Sequence, residues 1–175
     1  RFERELLDPT AKPGESVFDH FVYVIAGDGD VQEGVSAEAA SVAGHQGLGN
    51  LFVIYDANQI SIEVDTDISF TEDVAARYRA YGWQTLEVNW RAGGEYKEDV
   101  AALHQAIEAA KANTDQPTLI TLRTIIGWPS PSKQNTGKIH GSKLGGEELA
   151  GLKVALGFDP EKHFEVAPEV LEHTR

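Results

Sequence analysis

Two hydrophobic patterns alternate along this chain. Phe21-Val22-Tyr23-Val24-Ile25-Ala26 is an unbroken run of apolar, β-prone residues. It lacks the polar alternation of a half-solvated strand, so it predicts a strand buried on both faces, as in a parallel sheet. Gly27-Asp28-Gly29-Asp30 follows, then small and apolar residues predict a helix over 32–45, stopped by Gly47-Leu48-Gly49. Leu51-Phe52-Val53-Ile54-Tyr55 repeats the strand pattern and ends at Asp56-Ala57-Asn58. Strand, helix and strand in this order form a βαβ unit.

The alternation continues downstream. Thr71-Glu72-Asp73 has the composition of an N-cap followed by acidic first-turn residues. Val74, Tyr78 and Tyr81 then recur at helical spacing up to Gly82, and Thr85-Leu86-Glu87-Val88 alternates as a strand. Val100, Leu103, Ile107 and Ala110 form one stripe of a helix over 95–112, and residues 119–126 predict a third core strand. Residues 1–19, polar and with two prolines, predict a connector with a short helix at its start. Gly127 to Gly146, GWPSPSKQNTGKIHGSKLGG, is 20 residues without regular pattern. Irregular stretches of that length inside a compact domain point to function. Helices over 147–156 and 168–174 close the chain. No internal repeat is visible. The elements predict an α/β fold with a doubly wound, mostly parallel sheet.

Composition narrows the chemistry. Of 175 residues, 28 are Asp or Glu and 15 are Lys or Arg, for a net charge of -13. A surface this acidic, with no Lys/Arg run, excludes nucleic acid as an expected partner, and any phosphate ligand needs a cation or a helix N-terminus. No apolar stretch is long enough for a membrane span, and no signal-peptide pattern opens the chain. Cysteine is absent, which removes disulfides, thiolate metal sites and thiol catalysis and fits a cytoplasmic location. Methionine is absent too, even at position 1, which predicts an interior piece of a longer chain.

Ligands of open α/β sheets sit beyond the carboxyl ends of the strands, which draws attention to Gly27-Asp28-Gly29, to Asn58 and to the loop after Ile126. Gly-x-Gly between strand and helix lets a phosphate approach the backbone. It is not a dinucleotide fingerprint, because Gln32 stands where a third glycine is needed, and no Walker lysine is present. Asp28 puts a carboxylate where phosphates would lie, and two anions in contact repel by several kcal/mol at intermediate dielectric. A divalent cation reverses that sign. Mg²⁺ is typically held by one or two protein oxygens plus substrate phosphates. Asn58, 30 residues downstream at the next strand end, offers a carbonyl oxygen, and the backbone carbonyl of Ile60 could complete the protein side. The bland alternatives are that Asp28 caps the following helix and Asn58 is a turn residue. His140 is the one histidine set between flexible residues of the long loop, where an imidazole can donate hydrogen bonds and shuttle protons.

Gly27-Asp28-Gly29 followed after about 30 residues by Asn58 resembles the thiamine diphosphate motif. The surrounding GDGDVQEGVSAEAASVAGHQGLGNLFVIYDANQISI and SFTEDVAARYRAYGW resemble the transketolase family, and the likeness runs through the IHG segment to FDPEKHFEV. It implies the thiamine diphosphate-binding fold, with residues 1–175 forming most of the diphosphate-binding, N-terminal domain of a longer chain. By the same resemblance Asp28, Asn58 and the Ile60 carbonyl bind Mg²⁺, or Ca²⁺ or another divalent cation, and Gly29 touches the diphosphate through its backbone. Ile62 and Ile126 pack on the thiazolium ring, and His140 contacts diphosphate and substrate. Glu33 and Glu38 join the two active sites of a homodimer.

The implied activity is transfer of a two-carbon ketol unit from a ketose phosphate to an aldose phosphate in the pentose phosphate pathway. It takes place at a site on the subunit interface, and the cofactor-activating glutamate comes from another domain. The alternatives are another thiamine enzyme, such as a 1-deoxyxylulose-phosphate synthase or dihydroxyacetone synthase, and a non-catalytic cofactor-binding or dimerisation module.

Overall fold

The computed structural model describes residues 2–12, 14–62 and 64–175. Arg1 and Pro13 of the expected connector lie outside the described residues. Among those described, the strands β1 (Val22–Gly27), β2 (Leu51–Ala57), β5 (Gln84–Asn89) and β6 (Thr118–Arg123) form one parallel sheet in the order β1-β2-β6-β5. A short antiparallel pair, β3 (Ile60–Ser61) and β4 (Val64–Asp65), follows β2.

Connection direction explains the layers. The chain passes from β1 through α2 (Asp28–Gln32) and α3 (Gly34–His45) to β2, and then through α4 (Val74–Ala80) to β5, always moving the same way across the sheet. It returns through α5 (Val100–Ala112) to β6, in the opposite direction. Right-handed crossovers put helices of opposite travel on opposite faces. Accordingly Ala40, Ala43, Val74 and Tyr78 pack with Val53, Tyr55 and Leu119 on one face. Ala102, Leu103, Ala106 and Ile107 pack with Ile54, Ile120 and Leu122 on the other. Burying each large apolar side chain is worth about 1.5–3 kcal/mol, so these two clusters hold the layers together. The short helices α1 (Phe2–Leu7), α6 (Gly146–Ala155) and α7 (Pro168–His173) bury no residue fully.

Several sequence expectations are corrected. The first strand exists, but it is an edge strand with exposed apolar faces, and Ile25 is 79% exposed. Helix α4 lies over β5 and β6, and the short α2 sits against β1. The helix expected over 32–45 is α3, which begins at Gly34 because Glu33 is extended, and the short α2 precedes it where only a turn was expected. Asp73, not Thr71, caps α4 by accepting the Ala76 N–H at 2.8 Å, and Asp99 caps α5 by accepting from Ala102 at 2.9 Å. That cap starts α5 at Val100 rather than near 95. The last strand stops at Arg123, so Ile125 and Ile126 belong to the loop.

Candidate functional site

Parallel register brings the strand ends level, since Gly27 lies beside Asp56 and Ala57 beside Arg123. The two βα turns after β1 and β2 therefore meet. Asp28 is only 4% exposed and Asn58 8%. Asp28 Oδ1 accepts the Tyr55 hydroxyl at 2.7 Å, and Oδ2 accepts the Gln59 N–H at 2.9 Å. Neither oxygen serves as an N-cap of α2. That reach belongs to Asp30, whose carboxylate accepts the Gly27 N–H at 2.8 Å. The helix-cap alternative for Asp28 is thereby set aside. Burial raises the Asp28 carboxyl pKa, against the opposing hydrogen bonds from Tyr55 and Gln59. The Tyr55 phenol is pushed up as well, by burial and then by its bond to Asp28.

Asn58 closes a local turn, accepting the Ile60 N–H on Oδ1 at 3.0 Å and donating from Nδ2 to Asp56 Oδ2 at 3.3 Å. Residues 58–60 thus hold an amide oxygen and the Ile60 backbone close to the Asp28 carboxylate. A Cβ built on Gly29 would sit 3.6 Å from Ser61 Oγ, an ordinary contact, and Gly29 has no positive φ. Neither packing nor backbone conformation within the chain requires a glycine there. Room for a ligand would. Among the described residues, no three His, Asp or Glu side chains converge to make a metal cage. Any cation here would complete its shell with oxygens from the ligand, as Mg²⁺ does with phosphates. The donor set is hard oxygen throughout and fits a divalent cation bridging to a diphosphate.

The loop after β6 approaches the same ends. The Thr124 hydroxyl donates to Asp56 Oδ1, and the Asn135 N–H closes on the Ile126 carbonyl at 2.9 Å. Gly127 has φ +69°, and the Ile139 side chain lies where its Cβ would be. That contact seats the turn Gly137–Ile139, and His140 beyond it, beside the exit of β6. His140 is exposed, and its ring bonds to no other described residue. Ile126 is half-buried.

The structure therefore brings Asp28, Gly29, Asn58 and Ile60 together, while the Asp56–Thr124 bond ties the start of the loop holding Ile126 to them and the Ile139–Gly127 contact places His140 by the exit of β6. Ile62, two residues beyond Ile60, is 70% exposed with φ +61°. Glu33, just ahead of α3, and Glu38 are also exposed, and Glu38 shares a face of α3 with the uncovered Val35 and Val42. A cleft of about 720 Å³ opens beside Asp28 between the sheet and the start of α4, lined also by Tyr55, Phe70, Thr121 and Arg123. Tyr55, Asp56 and Thr124 join the site without having been picked out from the sequence. The available signal was polar atoms at the end of an otherwise apolar strand.

Comparison with known proteins agrees with this geometry. The family model described as "Transketolase, thiamine diphosphate binding domain" matches residues 1–175. A transketolase from Mycobacterium leprae is 58% identical over 175 residues, covering 100% of this chain and 24% of that protein. The structure of a transketolase from Leishmania mexicana superposes with a TM-score of 0.81 at 42% identity, over 96% of this chain and 24% of the other. A Pichia stipitis transketolase described in complex with sedoheptulose-7-phosphate gives 0.78 at 44% identity, over 87% and 22%. The chain thus spans about a quarter of the length of the relatives it matches. Its parallel sheet, its paired strand-end turns and these similarities together mean that the chain belongs to the transketolase family, in the thiamine diphosphate-binding domain.

Proposed function

We propose that the protein carrying this chain is a transketolase that moves a two-carbon ketol unit from a ketose phosphate to an aldose phosphate, using thiamine diphosphate and a divalent cation, Mg²⁺ or Ca²⁺. The observation that carries the reading is the meeting of buried Asp28 and Asn58 at adjacent strand ends, tied by the Gln59 N–H on Asp28 Oδ2 at 2.9 Å. A buried carboxylate at a phosphate-approachable turn is costly unless compensated by a cation. The complex of the Pichia stipitis relative with sedoheptulose-7-phosphate supports sugar phosphates as the substrate class.

When bound, the cofactor supplies the carbon that carries the ketol unit. The residues of this chain bind and orient. Asp28 Oδ, Asn58 Oδ1 and the Ile60 carbonyl would hold the cation, and the Gly29 backbone would leave room for the diphosphate. Ile126 and Ile62 would exclude water from the ring once the cofactor is bound. A ring nitrogen of His140 would donate a hydrogen bond to a diphosphate or substrate oxygen and would hold or pass a proton there. The reading includes a cytoplasmic homodimer of the pentose phosphate pathway. Its active sites would lie at the subunit interface, with Glu33 and Glu38 between them. The uncovered Val35 and Val42 beside those glutamates support a contact surface on α3.

The test is Asp28→Ala in the intact dimeric enzyme, with cofactor binding titrated by calorimetry with and without Mg²⁺. Loss of the Mg²⁺-dependent component is expected. Unchanged affinity would leave Asp28 a buried structural carboxylate and remove the basis of the reading.

A further inference from the structure

Between the proposed cation-holding groups lies a carboxylate with no assigned task. Asp56, next to last in β2, is half-buried, and both its oxygens are engaged. Oδ1 accepts the Thr124 hydroxyl, and Oδ2 accepts the Asn58 Nδ2–H at 3.3 Å. Thr124 is itself buried, at the first position after β6. On its far side the Asn58 carboxamide accepts the Ile60 N–H at 3.0 Å.

A carboxamide can sit in two orientations that exchange its oxygen for its NH₂ group, and only the oxygen can ligate a cation. At most positions the two differ little in energy. Here they differ strongly. An ionised Asp56 is acceptor-only, so it attracts Nδ2–H and repels Oδ1. The Ile60 N–H makes the opposite choice and attracts Oδ1. The Thr124 hydroxyl holds the Asp56 carboxylate from behind, and rotation of that carboxylate would give up a hydrogen bond in a largely buried place. The carboxamide oxygen is therefore kept on the Ile60 side, where the proposed backbone ligand also lies.

We propose that Asp56, held by Thr124, is a positioning residue that orients the Asn58 carboxamide for the cation and thereby sets the affinity of the site for it. The inference rests on the reading that Asp28 and Asn58 hold the cation. It adds residues that touch neither cation nor cofactor. Outer partners of metal ligands typically change metal affinity by about 10–100-fold when altered.

The experiment uses the intact enzyme, freed of cation, at fixed thiamine diphosphate. Mg²⁺ is titrated while cofactor binding is followed by tryptophan fluorescence and circular dichroism, without turnover. Asp56→Asn keeps the shape of the side chain but can pair with either orientation of Asn58. Its half-saturating Mg²⁺ should rise about 10–100-fold, with the thermal midpoint of the cation-free protein unchanged. Thr124→Val should shift Mg²⁺ in the same direction but less, and Thr124→Ser, which keeps the hydroxyl, should restore the wild-type value.

If Asp56→Asn lowers the cation-free midpoint, the Thr124→Val and Thr124→Ser pair decides. A shift in the first that is absent in the second supports the proposal, and equal behaviour of the two overturns it. Wild-type Mg²⁺ dependence in Asp56→Asn, alongside its loss in Asn58→Ala, also overturns it. Unchanged Mg²⁺ dependence in both Asp28→Ala and Asn58→Ala overturns the underlying site reading instead.

Discussion

A single carboxylate, Glu148 in the first turn of α6, gathers the start of the long loop. It accepts hydrogen bonds from the Ser130 hydroxyl, the Ser132 N–H at 2.8 Å, the Ser132 hydroxyl at 2.7 Å and the Lys133 N–H at 3.2 Å. These bonds, the one from Ser130 foremost, hold its carboxyl at about 2, below the usual 4.5. A carboxyl depressed by folding stabilises the fold above its unfolded value and loses that contribution as pH falls through its folded one. The thermal midpoint of the wild-type chain should therefore carry a component that disappears between about pH 4.5 and about 2. Glu148→Gln should lack that component, and melts across the range read the difference. The Tyr55 hydroxyl makes a comparable point in the site. Tyr55→Phe leaves Asp28 Oδ1 without its donor in a buried place, which should cost about 1–3 kcal/mol in urea unfolding without cation. Asp28 and Asn58 were picked out in the sequence as candidates because each directly follows a strand. The partners that orient them were not, because hydrogen bonding across strands leaves no mark in local spacing.

At the scale of elements, strand and helix types were readable from periodicity, while their ends were decided by particular caps. Asp73 and Asp99 each accept an amide three residues on, and that bond sets the helix start more sharply than the acidic composition around it. Contact between elements depends on glycine at one crossing. A Cβ on Gly44 of α3 would lie far inside van der Waals contact with the Tyr81 carbonyl oxygen and 3.2 Å from Trp83 Cδ1. Replacing a glycine inside a helix by alanine ordinarily gains up to about 1 kcal/mol, and less at the next-to-last position that Gly44 holds in α3. Here the obstacle is backbone, which cannot turn aside as a side chain can, and overpacking costs about 1–3 kcal/mol. Gly44→Ala is therefore expected to be net destabilising, with a lower urea midpoint, and a raised midpoint would show that α3 can lift away freely. The Trp83 indole, which donates to the Ala40 carbonyl at 2.8 Å, reports the same crossing through its fluorescence.

For the molecule as a whole, the outstanding feature is the uncovered edge of the sheet. Val22, Tyr23, Val24 and Ile25 are between 39% and 79% exposed, and β2 is the only strand paired with them among the described residues. Open apolar edge strands are sites of self-association. The 175-residue chain, studied alone, should form higher species in light scattering despite its charge of -13. Ile25→Lys should move it toward the monomer. The same chain presents only the proposed diphosphate end of a cofactor site, so it should bind thiamine diphosphate weakly with Mg²⁺. Submicromolar affinity by calorimetry would refute this expectation.

By itself the sequence determined the parallel α/β class, the order of strands and helices and the strand-end turns around Asp28 and Asn58. Each of these is written in local periodicity or in a short motif. The tertiary structure decided what local pattern cannot carry: the insertion of β6 between β2 and β5 and the exposure of an apolar strand expected to be buried. It also decided the pairing of Asp56 with Thr124 across 68 positions. The physical reason is range. Side-chain periodicity records which face a residue turns inward, whereas neighbours across a sheet are set by how distant segments pack against one another.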